Sequence, residues 1–189
     1  MKTEVTVEVK EKLESALEKL LNQGFQIVEK FELHDWYFST YNKKEVKSIN
    51  YEDLMNASIL LRSVVSDNPC NLLIFKKKDI DNNGNVIGED KNEIEISDIK
   101  TAIEIFSNQG QYNWCHMINK SLVLKRGIMS FCLQIIAGLG IFIEYEEKII
   151  HAALSDKNKF QALKDELKTL NLNLGEAFSC KKPYMILHK

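Results

Sequence analysis

Strict alternation of apolar and polar residues opens the chain. Over residues 3–10, Val5, Val7 and Val9 fall on one side and Glu4, Thr6, Glu8 and Lys10 on the other, the pattern of a half-buried strand. The period then lengthens. From Glu11 to Asn22, residues Leu13, Ala16, Leu17, Leu20 and Leu21 form one apolar stripe of a helix, and Gly24 is placed to cap its C-terminus. Aromatic and β-branched residues predict β structure at Phe25–Leu33 and Trp36–Tyr41, interrupted by His34 and Asp35, then at Ser58–Val65, Leu72–Lys78 and Glu93–Ile96. Asp79–Lys91, with its Asp-Asn-Asn-Gly-Asn core, reads as a flexible surface insertion. A second helix is predicted at Asp98–Ser107, capped by Ser97, with Ile99, Ala102, Ile103 and Phe106 facing the core. Strands follow at Cys115–Leu124, Ser130–Ile136 and Ile141–Glu147, with Arg126-Gly127 at the first turn and Gly138 and Gly140 at the second. A third helix at about Ser155–Leu170 and a last strand at Tyr184–Leu187 complete an α+β pattern.

Composition narrows the class. A chain of 189 residues, 44% hydrophobic and 28% charged, is expected to fold as a single soluble domain over residues 1–189. Its net charge of −2 indicates no general attraction to a nucleic acid polymer or to a membrane, so any anion site has to arise from local arrangement. The four cysteines, Cys70, Cys115, Cys132 and Cys180, contain no Cys-x-x-Cys pair and are expected to be free thiols in a reducing compartment. The start has no apolar leader pattern, and Ile135–Ile143 is too short to span a bilayer, which together predict a cytoplasmic protein.

The candidate chemistry lies in charges at period two. Thr6, Glu8 and Lys10 share a strand face, Glu93 and Glu95 share another, and Glu144 and Glu146 a third. Two readings fit: the wet side of a half-exposed antiparallel sheet, or a barrel with a polar lumen whose carboxylates hold a hard cation while Lys and Arg hold phosphate oxygens. The four histidines, His34, His116, His151 and His188, show no i, i+4 pairing, so a histidine metal site is not expected. No Gly-x-Ser-x-Gly, P-loop or Gly-x-Gly-x-x-Gly is present, and Gly138-Leu139-Gly140 reads as a turn. Trp36 and Trp114 are expected to pack rather than to stack on bases. In Lys76-Lys77-Lys78, only Lys76 and Lys78 can share a side of a strand.

In order along the chain, these segments resemble the CYTH superfamily, which contains class IV adenylyl cyclases, thiamine triphosphatases and inorganic triphosphatases. Thr6-Val7-Glu8-Val9-Lys10 is similar to that family's opening Glu-x-Glu-x-Lys, and Asp35-Trp36-Tyr37-Phe38-Ser39-Thr40 to its Asp-x-Tyr-Phe-x-Thr. Ile59-Leu60-Leu61-Arg62 resembles Leu-Arg-x-Arg, Leu73-Ile74-Phe75-Lys76 resembles Leu-Thr-Tyr-Lys, Glu93-Ile94-Glu95 resembles Glu-x-Glu, and Lys120-Ser121-Leu122 resembles Lys-x-Arg. The fullest match is Leu133 to Glu146, similar to Leu-Asp-x-Val-x-Gly-Leu-Gly-x-Phe-x-Glu-x-Glu.

The resemblance implies an eight-stranded antiparallel β-barrel, a triphosphate tunnel, with helices packed outside and polar side chains within. It implies Glu8, Glu144 and Glu146 as ligands of Mg²⁺ or Mn²⁺, and Glu93 and Glu95 as further acidic tunnel residues. Lys10, Arg62, Lys76 and Lys120 would bind the phosphates of a triphosphate-containing small molecule, and Lys76 and Tyr37 would assist attack by water. Four positions depart from the pattern: Thr6 replaces Glu, Leu60 and Leu122 replace Arg, and Gln134 replaces Asp. Lost guanidinium groups remove bidentate phosphate contacts, and lost carboxylates weaken metal binding. Lys125-Arg126 is an alternative basic pair, at a position that Gly127 favours as a turn. The two functional classes implied are a metal-dependent triphosphatase or cyclase and a non-catalytic nucleotide or polyphosphate binder.

Overall fold

In the computed structural model, which describes residues 3–80, 86–151, 153–178 and 182–189, the opening alternation becomes β1 (Glu4–Val9), with Val5, Val7 and Val9 buried and Glu8 exposed. Then come α1 (Leu13–Asn22), β2 (Gln26–Ser39), α2 (Tyr51–Asn56), β3 (Ile59–Val65), β4 (Cys70–Ile80), β5 (Val86–Glu95) and α3 (Ile99–Asn108). The chain continues with β6 (Tyr112–Arg126), β7 (Met129–Ile136), β8 (Gly140–Glu146), a 3₁₀ turn at Ile149–His151, α4 (Asp156–Lys168), β9 (Leu174–Phe178) and α5 (Lys182–Leu187). The strands follow the order β5-β4-β3-β2-β6-β7-β8-β1-β9, so the antiparallel α+β class stands, with nine strands among the described residues instead of eight. No helix among the described residues is long and apolar enough to cross a membrane.

By its internal contacts the chain divides into two units, and β2 and β6 contribute residues to both. The first unit comprises residues 1–30, 120–136 and 140–180. Register fixes its faces: Val5 lies opposite Tyr145, Val7 opposite Ile143, and Leu133 opposite Ile143 on the other side. These residues join Ala16 and Leu20 of α1 and Leu163 and Leu167 of α4 in one core. Each buried Val, Leu or Ile of this set stabilises by about 1.5–3 kcal/mol relative to exposure, which commits the opposite face of β1, β7 and β8 to Thr6, Glu8, Cys132, Gln134, Glu144 and Glu146.

The second unit comprises residues 31–119, 137–139 and 181–189. Here β2, β3, β4 and β5 form a continuous ladder, with Asp35 opposite Arg62, Tyr37 opposite Leu60, Leu60 opposite Ile74, and Ile74 opposite Glu93. Phe38 packs against Phe106 of α3, and the buried Trp114 donates its indole N–H to Ser58 Oγ at 2.9 Å.

Several local expectations are corrected. β2 runs unbroken through His34 and Asp35, because its ladder to β3 pairs both residues. Asp79–Lys91 is largely hairpin strand, Lys76 pairing with Lys91 and Asp79 with Gly88; only Asp81–Asn85 lie outside the described residues. The cap of α3 is Asp98 instead of Ser97, its carboxylate accepting from Lys100 N at 2.9 Å. Tyr184–Leu187 is helical, not a strand: Pro183 fits the first turn of α5, and Tyr184 donates its hydroxyl to Ile49 O at 3.2 Å. The last strand is β9 instead, which Gly175 and Glu176 concealed from a β-propensity reading. The expected turn glycines are in place, with φ of +85° at Gly24, +57° at Gly127 and +72° at Gly138. Cys70, Cys115 and Cys132 are free, and Cys180 lies outside the described residues.

Candidate functional site

The polar face of the first unit carries Glu144 and Glu146 on β8, because residues two apart on a strand point the same way. Both are half-buried, and with Ser130 and Cys132 of β7 and Lys148 beyond β8 they line a cavity of about 150 Å³. Thr6 lies opposite Glu144, and Glu4 opposite Glu146. Thr6 is fully buried, and its Oγ1 has no hydrogen-bond partner among the described residues. Gln134 donates its amide N–H to Glu144 Oε2 at 3.2 Å. The two positions that depart from the acidic motif thus supply a neutral hydroxyl and a neutral amide beside a carboxylate. The amide solvates Glu144 without adding the like charge that an Asp would bring.

Glu8 and Lys10 share this face of β1 but reach toward β9. A Cβ on Gly175 would stand 3.1 Å from Lys10 Cε and 3.2 Å from Glu8 Cβ, so the glycine makes the room these side chains occupy. No sequence motif marks that role; only the β1–β9 pairing does. Lys120, at the start of the β6 segment in this unit, is exposed.

The remaining predicted residues lie in the second unit. Arg62 is held by a bidentate ion pair to Asp35, Nε to Oδ1 and Nη2 to Oδ2, both 2.7 Å, and Asp35 is 0% exposed. The guanidinium fork read as a phosphate ligand is thus engaged by a buried carboxylate that the motif comparison grouped only with Tyr37. Tyr37 is buried with its ring 5.3 Å from that of Trp114. Lys76 is half-buried on the same side of the ladder as Ile74 and Glu93. Glu93 pairs with Lys91; that hydrogen bond holds its carboxyl below the usual carboxylate range, with the charges of Arg62 and Lys76 adding to the effect. Glu95 is exposed at the end of β5.

Two further clusters were invisible in the sequence. In the second unit, His34, Trp36 and His116 stack, with Trp36 and His116 rings 4.7 Å apart and 6° from parallel. Burial and the neighbouring His34 hold His116 below its ordinary pKa. In the first unit, Tyr145 donates its hydroxyl to Glu166 of α4, and the buried His151 meets the other oxygen of that carboxylate at 2.7 Å. His151 Nδ1 accepts from Lys148 N–H at 2.9 Å, so its proton sits on Nε2 and is donated to Glu166. This network ties the 3₁₀ turn to α4. Burial also pushes the Cys115 thiol up to about 12, with the charge of Asp35 contributing, which leaves it without nucleophilic character at neutral pH.

Among the described residues, no three His, Cys, Asp or Glu side chains converge as a ready-made metal cage. Glu144 and Glu146 instead present two carboxylates, oxygen donors of the hard type, to one cavity.

No protein-family model matches the chain, and no curated protein matches it by sequence. Solved structures do match. The PH1819 protein of Pyrococcus horikoshii OT3 aligns at TM-score 0.69 and 15% identity, covering 100% of both chains. An adenylate cyclase candidate from Vibrio parahaemolyticus aligns at TM-score 0.59 and 15% identity over 97% of each chain. HpAC1 from Hippeastrum, an adenylyl cyclase candidate described as having a dominant triphosphatase activity, aligns at TM-score 0.62 and 15% identity, over 100% of this chain and 95% of its own. At these identities the likeness is one of fold, and the chain carries the fold of adenylate cyclase candidates and of a triphosphatase.

Proposed function

We propose that the protein is a divalent-metal-dependent enzyme acting on a triphosphate, by hydrolysis or by cyclisation of ATP. The observation that carries this reading is the pair Glu144 and Glu146, half-buried on one strand face and lining one cavity with Lys148, in a chain whose fold is shared with a triphosphatase. In this reading Glu144 and Glu146, with Glu8 on the same face, hold Mg²⁺ or Mn²⁺, which would neutralise charge on the transferring phosphoryl group. Lys10 and Lys120 bind phosphate oxygens in the first unit. For the second unit the motif resemblance supports phosphate-binding roles for Arg62 and Lys76, assistance to the attacking water by Lys76 and Tyr37, and acidic roles for Glu93 and Glu95. The substrate class is a small triphosphate: inorganic triphosphate, thiamine triphosphate or ATP.

A second reading, a binder of nucleotides or polyphosphate without turnover, is favoured by one specific pair of contacts. Gln134 satisfies Glu144 with a neutral donor, and Asp35 occupies one edge of the Arg62 guanidinium, its Nε and Nη2. Phosphate release from tripolyphosphate, thiamine triphosphate and ATP, with cyclic AMP formation followed in parallel, separates the two when run with Mg²⁺ and with Mn²⁺. Metal-dependent turnover of at least one substrate is expected. Tight metal-dependent binding of tripolyphosphate without turnover of any of them would establish the binder.

A further inference from the structure

The cavity at Glu144 and Glu146 shares two lining residues, Ser130 and Lys148, with a second, neighbouring space. This second space, about 420 Å³, lies between the β6–β7 turn and the 3₁₀ turn after β8, and is lined by Lys125, Ile128, Ile149 and Ile150 in addition to the shared pair. The two volumes suit different parts of one molecule. A space of about 150 Å³ lined by two carboxylates and a lysine suits a hydrated cation with a phosphoryl group. The larger space falls within the range of about 300–1,000 Å³ typical of small-molecule sites.

Its walls carry exposed aliphatic side chains. Ile128 is 71% exposed, Ile149 94% and Ile150 57%. Three aliphatic side chains standing in water on two adjacent turns cost hydrophobic stabilisation that a ligand surface would recover. Their placement is held: the Tyr145–Glu166–His151 network anchors the 3₁₀ turn that carries Ile149 and Ile150. The charges at the groove, Lys125 and Lys148, are both positive. They complement a polyphosphate tail and oppose a cationic ring. They also oppose a second copy of the chain, because a two-fold pairing of this face would bring like charges together.

We propose that this groove seats the organic end of a triphosphate, an uncharged flat ring of the nucleobase type lying on Ile128, Ile149 and Ile150, with its phosphate chain passing Lys148 toward Glu144 and Glu146. The assignment rests on the reading of the carboxylate cavity as a triphosphate site. It selects a nucleoside triphosphate over inorganic triphosphate, and over thiamine triphosphate with its cationic thiazolium ring.

The test uses the full chain with ¹³C-labelled isoleucine methyls, titrated with ATP, thiamine triphosphate, tripolyphosphate and adenosine in the presence of Mg²⁺. ATP and adenosine are expected to shift the Ile128, Ile149 and Ile150 methyl signals, and tripolyphosphate to leave them in place. In Ile128→Ser/Ile149→Ser, exposed changes that spare the core, the ratio of ATP to tripolyphosphate affinity is expected to fall about tenfold, the scale of losing partial apolar burial from two side chains. Tripolyphosphate binding with methyls indifferent to ATP would overturn the groove and leave the triphosphate reading intact. Adenosine shifting the methyls while neither triphosphate nor metal binds would overturn the triphosphate reading and keep a nucleoside groove. A larger response to thiamine triphosphate than to ATP would overturn the uncharged-ring assignment. Concentration-dependent self-association abolished by the double variant, without any ATP response, would assign the surface to a second copy and overturn the proposal.

Discussion

Replacing Arg62 with alanine is expected to lower the thermal midpoint by about 6–12 °C. The cause is electrostatic and local. Asp35 is fully buried, and both of its oxygens are held by the Arg62 fork at 2.7 Å. Removing one partner of a buried pair leaves a carboxylate without its counter-charge, a loss of about 3–5 kcal/mol, and the 21% exposure of Arg62 places this pair near the lower figure. For a chain of 189 residues each kcal/mol moves the midpoint by about 2–4 °C. Arg62→Lys keeps the charge but loses the two-pronged geometry, so an intermediate drop is expected. Replacing both partners together, Asp35→Leu/Arg62→Leu, should recover much of the loss, since no orphan charge remains. Scanning calorimetry of the three variants checks the series. A midpoint within about 2 °C of wild type for Arg62→Ala would mean that the pair contributes little and that Arg62 is available for another partner.

Glu144→Gln/Glu146→Gln is expected to abolish the stabilisation that Mn²⁺ and tripolyphosphate confer together, while leaving the metal-free protein as stable or slightly more so. The two carboxylates point to one side of β8 and line one cavity, so replacing both removes the oxygen donors offered to a cation together with the like-charge repulsion between them. A ligand at one hundred times its dissociation constant stabilises the native state by about 2.7 kcal/mol, hence a wild-type shift of about 5–10 °C and close to none in the variant. Equal shifts in both proteins would defeat the assignment of these residues. The reverse change, Thr6→Glu/Gln134→Asp, places two further carboxylates on this face. It should destabilise the metal-free protein and tighten Mn²⁺ binding by about tenfold or more, because the added charges repel Glu144 until a cation joins them. Isothermal titration with Mn²⁺ measures that gain. An unchanged affinity would mean that Thr6 and Gln134 do not face the cation.

Much of this face is legible in the sequence. The Val5, Val7 and Val9 alternation predicted which side of β1 joins the core, and the stripe Ala16 to Leu20 predicted the face of α1 that covers it. The Gly138-Leu139-Gly140 turn was legible because a positive φ at Gly138 needs a residue without a side chain. The pair Glu144 and Glu146 was legible for the same reason as β1: period two places both on one side. These features are local, each decided within about ten residues by sterics and hydration.

What the sequence could not supply lies in partners distant along the chain. Asp35 and Arg62 are 27 residues apart, and Gln134 and Glu144 are 10 apart, yet each pair is set by the register of neighbouring strands. Tyr145, His151 and Glu166 meet only because α4 packs over β8, and Gly175 makes room for Glu8 and Lys10 only because β9 pairs with β1. β9 itself, with Gly175 and Glu176 in a five-residue span, has no strand propensity of its own and exists because β1 offers it a free edge. The sequence by itself determined the strands, the helices that cover them, and which charges share a face. Tertiary structure alone decided which of those charges are neutralised by a neighbour and which face a cavity, because burial and long-range pairing are properties of packed surfaces and not of any one segment.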